Sequence, residues 1–74
     1  MKHEHFQHVL NQFLTRRPWK PFTLELINGS WLVVEHPEFL AVYGTLLNWT
    51  NSNGARSIFE YTSVVRFIDG TGST

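Results

Sequence analysis

The chain has 74 residues, six basic and six acidic, no cysteine, and an apolar share of 42%. That length holds one small domain, 1–74, with a thin stability margin, because short chains bury a smaller fraction of their surface. The absence of cysteine excludes disulfides, thiolate metal sites and a thiol nucleophile, which leaves self-association as the expected reinforcement. The cancelled charge argues against a dedicated nucleic-acid domain, whose affinity rests on a cationic excess.

The first element is a helix. Phe6, Val9, Leu10, Phe13 and Leu14 fall at i, i+3, i+4, i+7 and i+8, one apolar stripe of a helix over about residues 3–16. Glu4, Gln7, His8, Asn11, Gln12 and Thr15 occupy the opposite face. Arg16 and Arg17 are expected in its last turn, where cations complement the helix dipole, and Pro18 ends it.

From Phe22 the period changes to two, and Asn28-Gly29 marks a tight turn. A two-residue loop sends Leu32 and Val34 to the face opposite Phe22, Leu24 and Leu26. A three-residue loop, Ile27-Asn28-Gly29, pairs Leu24 with Leu32 and Phe22 with Val34. The second is preferred because it gathers five apolar side chains on one face, and it turns Trp31 and Val33 the other way. Pro37 stops the second strand. FLAVY (39–43) and TLLNWT (45–50) read as strand, with Gly44 a bulge or bend between them. NSNG (51–54) is a turn, RSIFEY (56–61) and VVRFI (64–68) are strands, and 69–74 is a polar, flexible tail.

The expected fold is therefore mainly β with one N-terminal α-helix: a small, five-stranded, bent antiparallel sheet or barrel over about 21–68. Leu40, Val42, Phe39, Tyr43, Ile58, Phe59 and Tyr61 put apolar groups on both faces of their strands, more than one short helix covers. Part of that surface is expected between copies.

Three clusters invite a chemical reading. Arg16, Arg17 and Lys20 interleave with Trp19, which suits single-stranded RNA, with cations on phosphate and the indole on a base. The alternative is a proline-stiffened corner in which Trp19 closes the end of the sheet. His5 and His8 are i, i+3 neighbours, a weak metal pair on a solvated face that lacks a closed ligand set. Glu35, His36 and Glu38 bring a carboxylate beside an imidazole, but no nucleophile or oxyanion site accompanies them at a recognisable spacing. No enzyme activity and no cofactor are expected. Trp31, Trp49, Tyr43 and Tyr61 are candidates for a contact surface, since aromatic side chains dominate interface energetics, with about half of them expected in the core instead. Trp31, Val33, Tyr61 and Val65 are the positions expected at the interface.

Arg17, Pro18, Trp19, Pro21, Phe22, Gly29, His36, Pro37 and Glu38 resemble an Arg-Pro-aromatic-x-Pro-Phe, glycine-turn, His-Pro-Glu pattern of short, uncharacterised bacterial proteins. The order of elements, with Arg16, Arg17, Pro21, Asn28, Gly29 and the YTSVVRFI segment, also resembles the Sm-like fold of Hfq-type RNA chaperones. That resemblance implies a ring of copies paired through their last strands, with arginines at an RNA-binding rim. Phe59-Glu60-Tyr61 stands where that family carries a Tyr-Lys-His run, and a carboxylate there repels phosphate. The sequence thus leads to a self-associating, Sm-like or SH3-like binding module, a homo-oligomer with RNA as one partner. A protein-contact module without nucleic-acid binding is the alternative. No apolar run approaches the ~20 residues that cross a bilayer. The first ten residues lack the apolar core of a secretion signal, so a cytoplasmic address is expected.

Overall fold

The computed structural model describes residues 2–71. Helix α1 spans His3–Thr15 and buries Phe6 and Leu10. It stops one residue earlier than its periodicity suggests. Arg16 is already extended (φ −66°, ψ 145°), so the two arginines lie beyond the last turn and do not face the helix dipole.

Strands β1 (Phe22–Leu26) and β2 (Trp31–Val34) form the expected hairpin. Phe22 pairs with Val34 and Leu24 with Leu32. The Leu26 N–H donates to Ser30 O at 2.8 Å, which leaves Ile27-Asn28-Gly29 as the loop, with Gly29 left-handed at φ +87°. The burial argument decides the register: only this loop turns Phe22, Leu24, Leu32 and Val34 to one side.

Gly44 corrects the expected five strands to six. It is not a bend within one strand: with φ +62° it opens a two-residue turn, Gly44-Thr45, between β3 (Leu40–Tyr43) and β4 (Leu46–Thr50). Glycine at the first central position is what a II′ hairpin requires. β5 (Arg56–Glu60) follows, and β6 (Val64–Asp69) closes the order.

The strands form two three-stranded antiparallel sheets, β2-β1-β6 and β3-β4-β5, rather than one closed barrel. Short 3₁₀ turns separate them, Pro37–Phe39 between β2 and β3 and Tyr61–Ser63 between β5 and β6. Pro37 supplies no amide proton, so the ladder cannot run through it. One core joins both sheets and the helix: Phe6 and Leu10 from α1, Phe22, Leu24, Leu26, Val34 and Val64 from the first sheet, Leu40, Leu47 and Trp49 from the second. Phe67 stacks against Phe13 at 5.5 Å and lies 5.5 Å from Phe6, seating α1 on β6.

Residues 69 and 70, expected in a flexible tail, are tied to the first sheet. Asp69 ends β6, the Gly70 N–H donates to Pro21 O at 3.1 Å, and buried Thr23 donates its hydroxyl to Gly70 O at 2.9 Å. The remainder, 72–74, lies outside the described residues.

Candidate interaction surface

The basic corner after α1 is held from within. Arg16 Nη2 donates to Lys20 O at 2.9 Å and to Pro21 O at 3.0 Å, and pairs with Asp69 at 2.9 Å. Its guanidinium carbon lies 4.9 Å from the Phe13 ring centre. One cation therefore ties the end of α1 to the start of β1 and the end of β6. Trp19 donates its indole N–H to Glu35 O at 2.8 Å and packs edge-on against Phe22. Arg17 and Lys20 are exposed, with one Arg17 nitrogen bonded to Arg16 O. The prolines and the doubled arginine so build a corner; of its cations, Arg17 and Lys20 face solvent.

The Arg16 hydrogen bond, opposed by slight desolvation, holds the Asp69 carboxyl below its ordinary value of 3.8. A depressed carboxylate stabilises the fold above its unfolded pKa, and that contribution is lost as pH falls through the folded value. Arg16→Ala is expected to cost about 2 kcal/mol, the range for hydrogen bonds from a charged donor, whereas exposed Arg17→Ala costs less than about 0.5 kcal/mol. Urea melts of both variants check this. Most of the Arg16 effect comes from the two carbonyls, because the Asp69 side chain is 72% exposed. The part owed to Asp69 starts to decline as pH falls below 3.8 and is gone once pH has passed the lowered folded value.

His5 and His8 are both exposed, and no group of three or more His, Asp or Glu side chains converges among the described residues. His3 instead reaches Gly44 O at 3.2 Å and rests 4.7 Å from the Tyr61 ring, pinning the start of α1 to the β3–β4 turn. Near the β2 exit, Glu35 Oε1 accepts from Ser52 N–H at 3.2 Å, and His36 lies edge-on to Phe39. That carboxylate braces the 51–55 turn; no bond joins it to the imidazole. An open cleft of about 470 Å³ runs between α1 and β3, lined by His8, Leu10, Leu14 and Val42 among others.

The outward faces of the two sheets are more distinctive. On the first, Trp31 is 47% exposed and Val65 48%, whereas Val33 is half-buried; Tyr61, in the turn between β5 and β6, is half-buried against Phe6. Arg66 and Glu25 form an ion pair on the same face. On the second, the register sets Tyr43 beside Leu46 and Ala41 beside Asn48 and Ile58. Tyr43 is 66% and Ile58 63% exposed. Leu46 is not among the contact residues expected from the sequence, whereas Ile58 is one of those whose two-sided strands imply a covered surface. Their signal is the two-sided apolar pattern of TLLNWT and RSIFEY, which puts a large side chain on each face.

No helix among the described residues is long and apolar enough to cross a membrane. The chain matches no protein family, no curated protein and no solved structure.

Proposed function

We propose that the protein is a non-catalytic contact module that associates with copies of itself through outward strand positions. Its architecture is that of an open Sm-like or SH3-like barrel: first and last strands pair, and a helix covers one side. The observation that carries this reading is the exposure of Tyr43, Leu46 and Ile58 on the outer face of β3-β4-β5, which nothing among the described residues covers. Contiguous exposed apolar groups of this kind mark contact surfaces on small soluble domains. A chain of this size also gains the most from burying them. The RNA reading rests on Arg17 and Lys20, since the Arg16 guanidinium is engaged with Lys20 O, Pro21 O and Asp69.

Association stabilises the folded state by mass action, so the thermal midpoint is expected to rise with protein concentration. A labelled single-stranded RNA at low salt is expected to show no salt-steep binding. A midpoint independent of concentration, together with tight, salt-steep RNA binding that Arg17→Ala and Lys20→Ala remove, would reverse the assignment.

A further inference from the structure

The self-association proposed above needs a surface, and the β5 edge has a property no other edge shares. β5 is the outermost strand of its sheet. Its pairing with β4 fixes which backbone groups point outward. Tyr43 and Leu46 flank a two-residue turn and form a hydrogen-bonded pair, so Leu46, Asn48 and Thr50 face β3, while Leu47 and Trp49 face β5. Two bonds flanking the ladder agree: Asn51 N–H donates to Ala55 O at 3.2 Å, and Tyr61 N–H to Thr45 O at 2.9 Å. Ser57 and Phe59 are therefore the residues bonded to β4. Arg56, Ile58 and Glu60 turn their N–H and C=O groups to the open side.

The same three residues share the outer face of the sheet, because side chains alternate along a strand. Their order is cation, isoleucine, anion. Arg56 and Glu60 are both exposed, and neither is ion-paired within the described residues. A strand with this order is complementary to its own reverse.

We propose that β5 pairs antiparallel with β5 of a second copy about a two-fold axis at Ile58, joining two three-stranded sheets into one of six strands. Ile58 then meets its own counterpart, and each Arg56 stands directly opposite the Glu60 of the other copy. All three outward residues of one strand match outward residues of the other, so the ladder needs no shift. Side chains opposite one another in such pairs interact, and unlike charges stabilise them. An isologous contact of this type closes at two copies.

The remaining edges do not offer this. On β2, Val33 O already accepts the Trp49 indole N–H at 2.9 Å. On β3, Val42 lines the cleft beside α1. On β6, the cation Arg66 is paired with Glu25. Five residues a side is a small contact, so the dimer should dissociate on dilution.

Charge exchange tests the geometry. Arg56→Glu sets glutamate against Glu60, and Glu60→Arg sets arginine against Arg56, each substitution acting twice in a symmetric dimer. Sedimentation equilibrium over a dilution series is expected to show self-association of each single variant weakened roughly tenfold or more. The double variant Arg56→Glu/Glu60→Arg is expected to recover it. An equimolar mixture of the two single variants is also expected to recover it, as a heterodimer in which every facing pair is again unlike. Both positions are exposed, and circular dichroism verifies that each variant is folded. Wild-type association that none of these changes alters overturns the β5 pairing and leaves the contact-module reading standing. A wild-type chain that stays monomeric at every concentration overturns both.

Discussion

Phe22→Ala is expected to remove about 3–5 kcal/mol of stability, the usual cost of emptying a fully buried phenylalanine site. A domain of 74 residues has roughly 4–11 kcal/mol in total, so this one change consumes a large part of it. Phe22 is fully buried where three elements meet: 4.8 Å from Phe13 of α1, 6.4 Å from Phe67 of β6, and edge-on to Trp19 of the corner. The cavity cannot collapse without moving all three. A urea melt followed by circular dichroism measures the loss, and a cost below about 1 kcal/mol would show that the helix does not share a core with the first sheet.

Leu47→Ala is expected to cost about 2–5 kcal/mol and to act on the whole molecule rather than on its own sheet. Leu47 is fully buried on the central strand of β3-β4-β5, and it belongs to the same cluster as Phe22 and Leu24. No ladder joins the two sheets among the described residues, so this shared core, with the Trp49 indole bond to Val33 O, couples them. Tryptophan fluorescence and far-ultraviolet circular dichroism should therefore give coincident transitions in the variant, as for any two-state domain. Trp49 reports on the second sheet and Trp19 on the corner before the first. Separate transitions would mean two independent units.

What the sequence discloses here follows the range of the interactions involved. Helix α1 and the β1–β2 hairpin are legible because periodicity and turn chemistry are local, and one register alone turns Phe22, Leu24, Leu32 and Val34 to the core side together. Gly44 misleads because Gly-Thr lacks the Asn-Gly signature of a hairpin, and an isolated glycine between apolar runs looks the same as a bulge. The role of Arg16 is hidden for a different reason: its carboxylate partner, Asp69, lies at the other end of the chain, beyond the reach of any local pattern. A cation beside tryptophan and proline reads as a ligand site until the carbonyls of Lys20 and Pro21 are seen around it. The outer faces fall between these cases. Apolar residues on both sides of β4 and β5 are plain in the sequence, but only the fold distinguishes buried Leu47 from exposed Leu46 and Ile58. The alternation Arg56, Ile58, Glu60 is equally plain; it gains meaning once β5 is an edge with those three residues facing out.

Absolute mass by light scattering, taken across a wide concentration range, bears most directly on the claim that outward strand material is covered by another copy. Twice the chain mass at high concentration, falling to the chain mass on dilution, is the expected result. A single-chain mass throughout, with the β5 edge at Ile58 left to solvent, would contradict it.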